Sequence, residues 1–119
     1  MLSVTEKAAE SSLIFTMLAE KTYTYNRLQD IQSDIKAGIL SVEDLVDFYL
    51  HQIQQFSDLN AFIEVFTEES IQQAKSIQEK ITNGTAGKLA GMVIGIKDNI
   101  SYKGHKVSAS SKMLENYTA

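Results

Sequence analysis

The stretch Gly87-Lys-Leu-Ala-Gly-Met-Val-Ile-Gly-Ile-Lys-Asp-Asn-Ile100 carries one lysine, Lys97, at the end of a continuous apolar run. Continuous rather than alternating hydrophobicity over residues 91–96 predicts a strand that is buried on both faces. Asp98 and Asn99 follow in a predicted turn. A lysine at such a strand end either extends to water or, if it is held in a dry site, loses its proton readily and acts as a base.

The residues before this run predict three helices and one further strand. Apolar residues recur at helical spacing over 25–37, 42–56 and 68–81, which is the pattern of amphipathic helices. The short segment 62–66 is aromatic and β-branched, which is typical of a strand. Ser41 is the predicted N-cap of the second helix, and Thr67 that of the third.

The helix–helix–strand–helix–strand order predicts an α/β fold. Two strands make a poor sheet, and a strand buried on both faces needs neighbours on either side. The small number of strands therefore indicates that the chain is incomplete. Residues 1–24 form an N-terminal extension with a weak helical pattern, and we expect this extension to be helical or frayed.

Composition excludes several classes of function. Hydrophobic residues make up 44% of the 119 residues and the formal net charge is −4, so the chain lacks the basic footprint of a nucleic-acid binder. It has no cysteine and two distant histidines, His51 and His105, which leaves no recognisable metal site. The start has no secretory signal and the apolar runs are too short to span a bilayer, so we expect a cytoplasmic protein.

The glycines and serines near Lys97 allow ordinary structural roles. Gly91 and Gly95 have the wrong spacing for a dinucleotide or phosphate loop, and close backbone packing beside a strand explains them better. Ser-Lys pairs are a known variant of nucleophilic catalysis, and Ser108, Ser110 and Ser111 are the nearby hydroxyls. Clustered serines more often belong to turns, however.

The sequence motifs around Lys97 resemble those of the amidase signature family. They are Leu89-Ala-Gly-Met-Val-Ile-Gly-Ile-Lys-Asp-Asn-Ile100, Lys103-Gly104 and Ser111-Lys-Met-Leu-Glu-Asn-Tyr117, with Leu59-Asn-Ala-Phe62 upstream. The resemblance covers about residues 25–119, and it implies that they are the N-terminal portion of an incomplete amidase domain. Within the family it is greatest to the glutamine-hydrolysing subunits of tRNA-dependent amidotransferases.

This resemblance implies a fold, an activity and partners. The fold would consist of leading helices followed by the first strands of a mixed sheet covered by helices. The activity would be glutamine hydrolysis by a triad of a nucleophilic serine, a bridging serine with a cis peptide bond, and a lysine, and Lys97 matches that lysine. The ammonia would pass to a B subunit, which uses ATP and magnesium to activate misacylated Glu-tRNA(Gln), while a small C subunit clasps the pair.

The chain departs from the family pattern at several positions. Lys88 and Val93 stand where proline is common, and Ser110 stands where glycine is common. The two triad serines belong to a glycine-serine-rich segment that this sequence does not contain, and Ser108, Ser110 and Ser111 do not match it. We therefore expect the 119-residue chain alone to be inactive, with no cofactor site and no metal site of its own.

Two alternatives remain open at this point. The chain could belong to another amidase of the same family that acts on small amides. It could also be a non-catalytic helical module that binds a partner through its first two helices.

Overall fold

A computed structural model describes residues 23–119 of the chain, and three α-helices dominate this part. Helix α1 spans Leu28–Lys36, α2 spans Val42–Gln55 and α3 spans Thr67–Thr82. The three predicted helices are thus confirmed, with small differences at their ends. Two short 3₁₀-helices complete the regular structure of these residues, at Ser57–Leu59 and Lys112–Leu114.

Helix α2 begins with a capping box. The backbone N–H of Asp44 donates to Ser41 Oγ at 3.0 Å, and the Ser41 N–H donates to Asp44 Oδ2 at 3.2 Å. Each bond satisfies a backbone donor that the first helical turn leaves without an intrahelical partner. The N-cap predicted at Thr67 is wrong, because α3 already includes Thr67 and follows Phe66 without a side-chain cap.

The core lies where α2 packs against α3. Leu45 on α2 is completely buried, and Ala74 on α3 is 3% exposed and faces the same cluster. The small Ala74 side chain lets the two helices approach closely, and partly buried isoleucines of α3 extend the contact. The buried members of this core are Ile35, Leu40, Val42, Leu45, Val46 and Ala74.

Helix α1 is hydrogen-bonded to the residues at the start of the apolar run. Gln32 Nε2 donates to the carbonyls of Lys88 at 2.9 Å and Ala90 at 3.0 Å. Gly91 follows with a φ of +87°, and a Cβ at this position would lie 3.0 Å from Ile35 Cδ1. The predicted close packing of Gly91 is therefore present, although its neighbour is a helix rather than a strand. Only glycine combines this backbone conformation with this contact without strain.

The predicted strands 62–66 and 91–96 are not formed in residues 23–119. Both segments lack regular structure, and the single β-pairing of the described residues is an antiparallel bridge between Lys106 and Thr118. The predicted burial of the second segment is wrong here, since Ile94 is 64% exposed. A strand needs a neighbour for its backbone groups, and within this part of the chain neither segment has one.

The expected helical pattern of the N-terminal extension falls in residues 1–22, outside the described part of the chain. Tyr23, at the other end of that extension, packs edge-on against Phe48 of α2 with 5.2 Å between ring centroids. Among the described helices, none has the length and apolar character needed to cross a membrane.

The buried position of Leu45 generates a stability prediction. We expect Leu45→Ala to lower the free energy of unfolding by about 3 kcal/mol, because the change removes buried methyl groups and leaves a cavity between α2 and α3. The measurement is urea unfolding followed by circular dichroism. Leu59→Ala is the matched control, since Leu59 is 69% exposed and its loss is expected to change stability by less than about 0.5 kcal/mol. Equal losses in the two variants would contradict the assigned core.

Candidate functional site

Lys97 lies at the first position of a tight turn. Its carbonyl accepts a hydrogen bond from the Ile100 N–H at 2.9 Å, and the turn passes through Asp98 and Asn99. The Lys97 side chain is exposed. Ion pairs within residues 23–119 join Arg27 to Asp30 and His105 to Glu69, and Lys97 takes part in neither.

Asp98 is bound by the turn at residues 108–110. Its Oδ1 accepts from the Ser108 N–H at 3.0 Å, its Oδ2 accepts from the Ser108 hydroxyl, and its carbonyl accepts from the Ala109 N–H at 3.0 Å. The hydrogen bond from the Ser108 hydroxyl, followed by that from the Ser108 N–H, holds the pKa of Asp98 below its usual value. Asp98 therefore stays a carboxylate at neutral pH.

The turn that binds Asp98 has a strained backbone. Ala109 and Ser110 have φ values of +47° and +57°, and residues with a Cβ disfavour this left-handed region. Glycine adopts it without penalty. A glycine at position 110 would therefore fit this turn without backbone strain.

A second cluster joins the segment after Lys97 to the N-terminal turn of α3; we call it the Glu69 cluster. Glu69 Oε1 accepts from the Tyr102 hydroxyl at 2.7 Å and from Gln73 Nε2 at 2.8 Å, and Glu69 Oε2 lies 2.9 Å from His105 Nε2. His105 stacks on Tyr102 with 4.6 Å between centroids and also contacts Phe66 at 4.0 Å. The Tyr102 hydrogen bond, with a further contribution from His105, lowers the pKa of Glu69.

The last residues fold back on the Glu69 cluster. The N–H of Gly104 donates to the Ala119 carbonyl at 2.7 Å, and the Ala119 N–H donates to the His105 carbonyl at 3.0 Å. Val107, between them and the Asp98 turn, is buried. Residues 98–119 are consequently held at two points, by Asp98 and by Glu69.

A separate apolar cavity of about 630 Å³ lies between α2 and the start of α3. His51, Phe48 and Ile71 are among its lining residues, and Lys97 is not. His51 is half-buried at this edge of the core.

The sequence-predicted site residues are only partly brought together. Ser108 bonds to Asp98, the neighbour of Lys97, whereas the side chains of Ser110 and Ser111 have no hydrogen bond to the lysine in the described part of the chain. Sequence reasoning missed the Glu69 cluster, because its members lie far apart in the chain. Only weak signals of this cluster are present in the sequence. Tyr102 and His105 flank the Lys103-Gly104 turn, and Glu69 lies in the first turn of a helix.

A family model described as Amidase matches residues 44–119 of the chain, which include both α3 and the Lys97 turn. The chain belongs to the amidase family. No solved structure matches the chain.

Several curated relatives of this amidase chain share one name, that of the A subunit of glutamyl-tRNA(Gln) amidotransferase. The protein from Prosthecochloris aestuarii is 41% identical over 96 residues, covering 80% of this chain and 20% of the relative. Identity to the protein from Methanothermobacter thermautotrophicus is 46% over 82 residues, covering 68% and 18%. The chain thus spans about a fifth of the length of the curated relatives it matches.

The left-handed conformation of Ser110 generates a prediction that separates two opposing effects. Ser110→Gly relieves about 1–2 kcal/mol of backbone strain and adds about 0.4–1 kcal/mol of unfolded-chain entropy. We expect the relief of backbone strain to be the larger effect, so that the free energy of unfolding rises by about 0.5–1 kcal/mol. Chemical denaturation measures the change.

Ser111→Gly is the matched control for that experiment. Ser111 has an ordinary φ of −105°, so its replacement by glycine brings only the entropy loss and is expected to destabilise the chain. A Ser110→Gly variant that is as unstable as Ser111→Gly would argue against the turn conformation.

The Glu69 cluster generates a pH-dependent prediction. Because the pKa of Glu69 is lowered on folding, its contribution to stability is present above its unfolded value of about 4.5 and is lost as the pH falls through the folded pKa. We expect Glu69→Gln to lower the melting temperature at pH 7, with a difference from the parent chain that shrinks toward pH 3.

Glu79→Gln is the control for this pH series. Glu79 is an exposed residue near the other end of α3, where the helix dipole disfavours a negative charge. Its replacement is expected to leave the melting temperature at pH 7 unchanged or slightly raised. A constant difference between Glu69→Gln and the parent from pH 7 to pH 3 would count against the Glu69 cluster.

Proposed function

We propose that the chain is the N-terminal portion of a glutamine-hydrolysing subunit of a tRNA-dependent amidotransferase, with Lys97 as the base of its catalytic triad. The observation that carries this proposal is the position of Lys97. It ends the apolar run within the residues that match the amidase family, and its ammonium group has no ion-pair partner among the described residues.

The chemistry requires a lysine that loses its proton. In the complete subunit, the surrounding protein covers the exposed Lys97 side chain and removes it from water, which favours the neutral amine. The amine then takes a proton from the bridging serine, which in turn takes one from the nucleophilic serine. Both serines belong to the remainder of the subunit.

The overall reaction consumes glutamine and water. The activated serine oxygen attacks the carbon of the side-chain amide, and an oxyanion forms. Cleavage of the carbon–nitrogen bond releases ammonia, with protons returned through the bridging serine and Lys97. Water then hydrolyses the resulting ester, which yields glutamate and restores the serine.

The same proposal accounts for the apolar segments without strand partners. Segments 62–66 and 91–96 approach each other, since a Cβ on Gly95 would lie 4.0 Å from Phe62 Cε1. Exposed Ile63, Val93 and Ile94 are side chains of the kind that sheets bury. We propose that both segments become strands of a mixed sheet once further strands cover them.

The proposed partners follow from the reaction. Ammonia released from glutamine would pass to a B subunit that activates misacylated Glu-tRNA(Gln) with ATP and Mg²⁺, and a C subunit would hold the two larger subunits together in the cytoplasm. This chain would supply neither a nucleotide site nor a metal site.

A chimeric enzyme tests the role of Lys97. The matching 96-residue segment of this chain replaces its counterpart in the Prosthecochloris aestuarii protein, which is expressed with its partner subunits. We expect the chimera to release ammonia from glutamine, and Lys97→Ala to lower kcat by about 10³-fold or more, because the triad loses its base. Ammonia release is measured with a coupled glutamate dehydrogenase assay.

Two controls and two contrary outcomes make this experiment decisive. Lys103→Ala removes an exposed charge from the same loop and is expected to keep the activity of the chimera. The 119-residue chain alone is expected to release no ammonia. A chimera that hydrolyses small amides but not glutamine would favour another amidase activity, and one that retains activity after Lys97→Ala would contradict the proposal.

A further inference from the structure

The Lys97-Asp98 pair places a cation and an anion side by side, yet the two side chains do not pair. Both carboxylate oxygens of Asp98 are bound by Ser108, one by its N–H at 3.0 Å and the other by its hydroxyl. The Asp98 carbonyl is bound as well, by the Ala109 N–H at 3.0 Å. The carboxylate is thus turned toward residues 108–110.

This arrangement matters for a lysine that must act as a base. A carboxylate next to an ammonium group stabilises the charged form, which keeps the proton on the amine. An unbound Asp98 would be the nearest such carboxylate along the chain. A serine that binds both carboxylate oxygens fixes the position of this negative charge and prevents an ion pair with the lysine.

We propose that Ser108 is a positioning residue that holds the Asp98 carboxylate away from Lys97, so that the lysine amine is free to accept a proton. This inference rests on the proposed function of Lys97. It assigns Ser108 a role as a hydrogen-bond donor to Asp98 and not as a nucleophile.

Three further observations agree with the role of Ser108. The turn brings its donors to Asp98 through a strained backbone, with positive φ at Ala109 and Ser110, and strain of this kind is often retained at functional sites. The Ser108 hydroxyl also accepts from the Ser110 N–H at 3.3 Å, so the hydroxyl is fixed from both sides. The lowered pKa of Asp98 agrees with this binding.

Other charged groups in the described part of the chain do not explain why Asp98 and Lys97 are not paired. Within the described part of the chain, no lysine, arginine or histidine nitrogen lies at ion-pair distance from Asp98, and no carboxylate lies at that distance from Lys97. Glu69, the acidic residue of α3 that contacts this segment, is already bound by Tyr102, Gln73 and His105.

The pH dependence of the chimera tests the proposal. In Ser108→Ala the backbone N–H still holds Oδ1, but Oδ2 is released and can turn to Lys97. We expect the acid limb of the kcat–pH profile to move upward by about one pH unit, because the lysine then keeps its proton to higher pH. Ser108→Thr retains the hydroxyl and is expected to keep the parent profile.

A double variant separates this charge effect from a structural one. Asp98→Asn combined with Ser108→Ala removes the carboxylate, so the acid limb is expected to return to its original position even though the turn is still perturbed. A merely structural role would lower stability in both variants and leave the limb where it was. An unchanged limb in Ser108→Ala would overturn the inference.

The 119-residue chain provides a second readout that needs no catalysis. NMR titration of the Lys97 ε-methylene at low ionic strength is expected to show a higher deprotonation midpoint in Ser108→Ala than in the parent chain, and no increase in the double variant. Equal midpoints would also overturn the inference. A chimera whose activity does not change with Lys97→Ala would instead count against the proposed function. The result of this titration would still stand.

Discussion

The packing of α2 against α3 is the constraint on which the rest of the described structure depends. Leu45 is fully buried at this contact and Ala74 lets the helices approach. The contact fixes the first turn of α3, and with it Glu69 and Phe66. Because Tyr102 and His105 attach to that turn, a helix–helix contact earlier in the chain determines where the loop after Lys97 lies.

The helices could be predicted from the sequence because their signals are local. Apolar spacing predicts all three, and Ser41 is predicted as the N-cap of α2, where the structure forms a capping box with Asp44. The two predicted strands depend on more than local signals, and they are not formed in the described part of the chain. The composition of segments 62–66 and 91–96 is that of strands, but a strand forms only when its backbone groups find partners, and these are a property of neighbours rather than of the segment.

The candidate site shows a similar division. Lys97 could be predicted as a site residue because its position after an apolar run and the residues of the family motif all lie in one stretch of sequence. The Asp98–Ser108 bonds span a loop whose closure depends on two residues with positive φ, one of them Ala109, for which the side chain gives no warning. The Glu69 cluster joins residues more than thirty positions apart, a distance at which one sequence contains no pairing information.

The exposed apolar segment 92–96 affects how this chain associates with other proteins in a cell. Its β-branched residues, together with the lack of a strand partner among the described residues, make it a short template onto which another extended chain can add. Until such a surface is covered, it is the kind of segment that chaperones bind and that joins copies of a protein into aggregates. The absence of proline, which could interrupt such pairing, leaves the segment without that protection. Covering this segment would therefore also lower the tendency of the chain to aggregate.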